Sequence, residues 1–139
     1  MVHALSEARR VLKPNGVLID LRPAAVHRRV GVVQAGQYHL LGVMRERLDD
    51  DYAANRAVAD VVRRQFFKPE RRVRFECNRT MDRVAEFRGW LNDFVSLGKL
   101  APHDWLMRRV ERACRESDVK TKIVVTGPLD LRVLRKQER

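Results

Sequence analysis

Helical and strand periodicities alternate along this 139-residue chain, which predicts an α/β protein: a small mixed sheet with an added hairpin, packed by about four helices. Three observations carry that expectation. Ala4, Leu5, Ala8, Val11 and Leu12 recur at helical spacing, with Glu7, Arg9 and Arg10 on the opposite side, the stripe of a helix with one packed face. Lys13-Pro14-Asn15-Gly16 then stops the helix, since proline cannot continue the ladder and Asn-Gly accepts the positive backbone angles of a tight turn. Val17-Leu18-Ile19-Asp20-Leu21 follows as a short apolar run, suited to a strand covered on both faces.

The remaining elements follow in order. Val30–Val33 and Tyr38–Met44 flank Gln34-Ala35-Gly36-Gln37, which reads as a hairpin turning at Gly36 and forming an added flap. Asp49-Asp50-Asp51 opens a helix, its carboxylates capping free N–H groups and matching the positive dipole end. Ala54, Ala57, Val58, Val61, Val62 and Phe66 form its buried stripe as far as the break at Phe67-Lys68-Pro69. Val73, Phe75 and Cys77 alternate with Arg72, Arg74, Glu76 and Asn78, predicting a strand with one buried and one solvated face. Thr80 or Asp82 caps the next helix, with Val84, Phe87, Leu91, Phe94 and Val95 inward and Gly98 at its end. Pro102 suits the first turn of another, in which Leu106, Val110, Ala113 and Cys114 face the core. Trp90 and Trp105 flank these stripes as packing residues. Alternation resumes at Thr121, Ile123 and Val125 and again at Leu129, Leu131 and Val133; Gly127-Pro128 leaves open one long bent strand or a hairpin.

Composition bounds the function. An apolar fraction of 45% and this length predict a single domain over residues 1–139 with a real core. No run approaches the roughly 18 apolar residues of a membrane span, and the N-terminus has helical periodicity rather than a secretory core, so the expectation is a cytoplasmic protein. Cys77 and Cys114 have no metal-ligand spacing and read as buried reduced thiols. The net charge of +11 raises the question of an anionic partner. Its arginines, however, are scattered beside acidic residues, and the densest cluster, Lys68, Arg71, Arg72 and Arg74, lacks the interleaved aromatics of a single-strand binder. A solvated surface is therefore favoured over a nucleic-acid site. Capping accounts for the three aspartates, and no metal site is expected.

Ligands approach the carboxyl ends of strands in open α/β sheets. Asp20, Arg22, His27 and Arg28 are accordingly the substrate-pocket candidates, set against the plainer reading that Arg22 pairs with Asp20 and His27 is a loop residue. No catalytic or cofactor-binding residue is assigned: Ser6, Ser96 and Ser117 have no base nearby, and no glycine-rich cradle, nucleophile elbow or Cys-His constellation occurs.

The run Leu5-Ser6-Glu7-Ala8-Arg9-Arg10-Val11-Leu12-Lys13-Pro14-Asn15-Gly16 resembles the segment of class I S-adenosylmethionine-dependent methyltransferases that leads from the helix after strand 4 into strand 5. Asn15 stands where that family usually carries the first of two glycines. The resemblance implies a partial Rossmann-like fold corresponding to the family's C-terminal half, with the last strand inserted antiparallel beside strand 5. It also implies that the cofactor-binding residues would precede Met1, so the chain is expected to be inactive alone. S-adenosylmethionine would bind if a partner supplied the other half. The strand over residues 17–21 would then have an open edge, covered in a homodimer or by a partner chain. The alternative is a non-catalytic basic binding or dimerisation module for an acidic protein or nucleic acid.

Overall fold

A computed structural model describes residues 2–138. Among them four helices and five strands follow in the order α1 (Val2–Val11), β1 (Val17–Pro23), β2 (Arg29–Gln34), β3 (Gln37–Val43), α2 (Asp49–Arg63), β4 (Phe67–Met81), α3 (Val84–Ser96), α4 (Asp104–Arg115) and β5 (Thr121–Lys136). The strands form one open sheet in which β5 pairs with β1, β2 and β4, and β3 pairs with β2. The registered pairs β1–β5, β2–β3 and β2–β5 are all antiparallel, so the sheet is antiparallel where a mixed one was expected. Hairpin connection is the physical reason for β2–β3, since parallel neighbours need a crossover. Two compact units share these elements. One takes the residues up to Ala25, Leu48–Phe75 and those from Pro128 on; the other takes Val26–Arg47 and Glu76–Gly127.

In the first unit α1 ends as its sequence dictates. Asn15 takes φ 59°, and the Gly16 N–H donates to the Lys13 carbonyl at 2.9 Å, turning the chain into β1. β1 pairs with the C-terminal half of β5 from Val17 opposite Arg135 to Pro23 opposite Leu129. Leu5, Ala57, Val58, Val61, Phe67 and Leu134 form the core, with Leu12 and Leu18 packed against it. The helices thus cover only the face that carries Leu18 and Leu134. β1 is not buried on both sides: Ile19 is 63% and Leu21 52% exposed, because they alternate onto the opposite face. The three aspartates occupy the first turn of α2, preceded by Leu48, and no side-chain cap hydrogen bond forms; their role is charge at the dipole's positive end rather than capping. Gln65 at φ 58° ends the helical path, and Phe67 already begins β4.

The second unit is built on the hairpin. Ala35 and Gly36 both take positive φ, 48° and 80°, as two-residue hairpin loops require. β2 then pairs on its other edge with the N-terminal half of β5, Arg29 opposite Thr126 to Gln34 opposite Thr121, so the hairpin is an integral part of the sheet and not a flap. Val30, Val32, Met44, Phe87, Leu106 and Ile123 are among the buried core residues. Gly31 is required where it stands, since an added Cβ would lie 2.6 Å from the backbone carbonyl oxygen of His39 as well as against the Tyr38 ring. Arg83 precedes α3 without a side-chain cap bond, replacing the expected Thr80 or Asp82. α4 starts at Asp104 after His103, which leaves Pro102 outside it. Trp90 packs on Phe94 at 4.7 Å between ring centroids, and the Trp105 ring covers Gly42.

β4 departs most from expectation. Only its ends, Phe67 and Met81, are buried, and these belong to the two separate cores. Phase alone had assigned Phe75 and Cys77 to a buried face, but both are exposed, because burial needs a covering layer as well as alternation. Both cysteines are free, and Cys114 is half-buried rather than buried; partial burial pushes its thiol pKa up. Across Gly127-Pro128, β5 is one strand. No helix among the described residues is long and apolar enough to cross a membrane.

Equilibrium denaturation distinguishes the two phenylalanine environments. Phe87→Ala, at a fully buried site, is expected to lower the unfolding free energy by about 3–5 kcal/mol. Phe75→Ala is expected to cost less than about 1 kcal/mol.

Candidate functional site

The most concentrated chemistry in the first unit arises from a repeated tripeptide. Asp20-Leu21-Arg22 lies on β1 and Asp130-Leu131-Arg132 on β5. Antiparallel pairing sets Asp20 opposite Arg132 and Arg22 opposite Asp130, so the two tripeptides make a square of alternating charge. Strand alternation puts all four on the helix-covered face with Leu18 and Leu134. The leucines between them, Leu21 and Leu131, lie on the other face.

The hydrogen bonds inside this square are well formed. Arg22 grips Asp20 with Nε to Oδ1 at 2.7 Å and Nη2 to Oδ2 at 2.8 Å. Asn55, from α2, accepts from Arg132 Nη2 at 2.7 Å and from Arg22 Nη2 at 3.4 Å. β4 adds two more guanidiniums. Arg74 donates Nε to Asp130 Oδ1 at 2.8 Å and Nη2 to Oδ2 at 3.1 Å, and Arg72 donates Nη2 to Oδ2 at 2.9 Å. Arg132 stands 3.9 Å from the same carboxylate.

Charge-assisted bonds to a buried carboxylate stabilise its ionised form. The Arg74 hydrogen bond is the chief reason the Asp130 carboxyl is held well below the usual range; Arg72 adds to it, and burial partly opposes it. Arg132 responds the other way. Burial lowers its pKa first, and repulsion from Arg72 and Arg22 lowers it further, with Asp130 and Asp20 only partly compensating. Its buried Nε has no hydrogen-bond partner. Four guanidiniums thus surround two carboxylates, which leaves positive charge in excess.

Beside the network runs an open cleft of about 380 Å³ between α2 and β4. Val58, Val62, Pro69 and Leu134 supply apolar wall, and Arg71, Arg72 and Arg132 supply charge. The carboxylate on its lining, Glu70, is engaged by Arg135, and this contact lowers the Glu70 pKa.

The other two sequence candidates lie in the second unit and are held structurally. His27 Nδ1 accepts the Glu46 backbone N–H at 3.1 Å. Arg28 forms an ion pair with the buried Glu46 side chain, and its backbone N–H donates to Glu46 Oε2 at 3.1 Å. The Arg28 guanidinium also lies 4.9 Å from the Phe94 ring centroid. Nothing in this arrangement presents a free base or nucleophile. Among the described residues no group of three His, Cys, Asp or Glu side chains gathers to hold a metal ion.

Of the sequence candidates, Asp20 and Arg22 are paired with each other in this network, as the plainer reading has it, and neither lines the cleft; Asp130, Arg132, Asn55 and the inward role of Arg72 and Arg74 were missed. The repeated Asp-Leu-Arg was the available signal. No family model, curated protein or solved structure matches the chain.

Asp130 makes stability depend on pH with a definite sign. Its folded pKa is depressed, so its contribution is fully present above the unfolded aspartate pKa of about 3.9. It is lost as pH falls below that value toward the folded pKa. Asp130→Asn is expected to lower stability near neutrality by about 2 kcal/mol, less than a fully buried pair because Arg72 and Arg74 are half-exposed. The variant should also show a shallower loss as pH falls from about 4 to about 2. Urea denaturation from pH 7 down through that range reads both effects.

Proposed function

We propose that this chain is a relative of class I S-adenosylmethionine-dependent methyltransferases. In this reading it forms the C-terminal, Rossmann-like part of such a domain, a scaffold that does not hold the cofactor by itself. The observation that carries the reading is the pairing of the last strand. β5 lies antiparallel beside β1, the strand entered from the Leu5–Gly16 segment, and Asn15 takes the left-handed turn conformation at φ 59°. Both are features the resemblance calls for. S-adenosylmethionine would be bound with residues supplied by chain outside this sequence or by a partner.

A second reading has its own observation. β1 pairs only with β5 among the described residues, and Val17, Ile19 and Leu21 leave that strand exposed beside its open edge. Open edges with apolar side chains invite pairing, which favours a dimerisation module built on residues 17–21. A basic partner-binding role rests on the same net charge of +11, with nucleic acid the less favoured ligand.

Isothermal titration of the isolated chain with S-adenosylmethionine tests the scaffold part of the first reading: no saturable heat is expected, and tight binding would overturn the claim that this chain does not hold the cofactor by itself. For the second, light scattering should give a dimer mass that Ile19→Lys returns to the monomer. A wild-type monomer at high concentration would remove the dimer reading and leave the first intact.

A further inference from the structure

We propose that the cleft between α2 and β4 binds a small amphipathic anion, a carboxylate or phosphate on a short apolar body, with the oxyanion on Arg72 and Arg132 and the body against Val58, Val62 and Leu134. This site stands apart from the methyltransferase reading and does not depend on it.

Three features of the first unit point to such a ligand. The first is uncompensated charge. Asp20 and Asp130 are shared among Arg22, Arg72, Arg74 and Arg132, so two positive charges have no carboxylate within the network. Arg71, on the cleft wall, has no acidic side chain within ion-pair distance among the described residues, and Glu70 is committed to Arg135. An anion in the cleft supplies the missing charge.

The second is geometry. Guanidinium is planar and presents paired N–H donors that match two oxygens of a carboxylate or phosphate. Arg72 uses one Nη2 contact on Asp130 and is 57% exposed in its side chain, so its fork is available on the cleft side. Arg132 is held in place by Asn55 and by the strand pairing itself. A donor already fixed loses little freedom when a ligand arrives.

The third is the wall. Val58, Val62, Pro69 and Leu134 line the same cleft, which gives a ligand's apolar part a surface that bare inorganic anions do not use. Size sets the class: about 380 Å³ suits a small molecule. No aromatic ring lines the cleft, and without one there is no base-stacking platform for a nucleic-acid strand.

Calorimetric titration of the full chain with sodium octanoate and, separately, with inorganic phosphate at low ionic strength tests the proposal. Octanoate is expected to bind saturably, one molecule per chain, and phosphate to bind the same site more weakly and compete with it. Arg72→Gln should weaken octanoate about tenfold or more, and its thermal melt checks that the variant is folded. Ala59→Phe, at an exposed position of α2 on the cleft wall, should block octanoate while leaving every charge in place. Arg63→Gln removes the same charge from an ion pair with Asp60, at a position that is not among the residues lining the cleft, and should leave binding unchanged. The proposal is overturned if neither anion gives saturable heat, or if Arg63→Gln weakens binding as much as Arg72→Gln. Equal affinity for phosphate and octanoate, unaffected by Ala59→Phe, would also overturn it, as a basic patch without an apolar subsite.

Discussion

Backbone pairing along β5 is the constraint from which most other features of this protein follow. Its N-terminal half fixes the register of β2 and its C-terminal half that of β1. Because side chains alternate with a period of two, each register also decides which residues face helices. Ile123 and Val125 enter one core with Val30 and Val32, and Leu134 enters the other with Leu5 and Val61. The same parity puts Asp130 and Arg132 on the covered side of β5. Buried apolar contacts and buried charge are therefore consequences of one set of pairings.

The charged square acts back on that register. Burying ions is costly, and paired charges in an interior contribute less to net stability than apolar groups of equal size. Their effect on alternatives is larger. A two-residue slip of β1 along β5 would set Asp20 against Asp130, or Arg22 against Arg132. Either arrangement places like charges opposite each other on a covered face, which is destabilising. A one-residue slip of β1 would turn Ile19 and Leu21 inward and Asp20 and Arg22 outward, losing the packing of Leu18 and leaving Asp130 and Arg132 without their cross-strand partners. The pair of Asp-Leu-Arg tripeptides thus discriminates among registers that hydrophobicity alone leaves closer in energy.

Asymmetry of covering explains the exposed apolar residues. In the first unit both helices serve the Leu18–Leu134 face, so Ile19 and Leu21 have no layer over them. β4 receives core contacts only at Phe67 and Met81, and its middle is left to polar partners: Arg72 and Arg74 reach Asp130, and Asn78 accepts from Thr126 Oγ1 at 2.8 Å. Its alternating pattern is real as strand geometry but does not translate into burial. The arginine-rich stretch that resembled ordinary solvated surface has, for the same reason, half its charge turned toward a buried carboxylate.

Local chemistry determined a good deal of this protein from sequence alone. The end of α1 ahead of Pro14, the left-handed Asn15, the hairpin turn at Ala35-Gly36, and the inward stripes of α2, α3 and α4 all follow from spacing and backbone preference over a few residues, and each is present. So does the Asp20–Arg22 contact, between residues two apart on one strand. Only the tertiary structure decided what depends on distant partners. It set Asp130 and Arg132 against Asp20 and Arg22 across more than a hundred residues, joined residues 121–136 into one strand, and left Ile19, Leu21 and Phe75 uncovered. Periodicity reports which side chains share a face; whether anything lies against that face, and which charges meet there, depends on pairings that no local window contains.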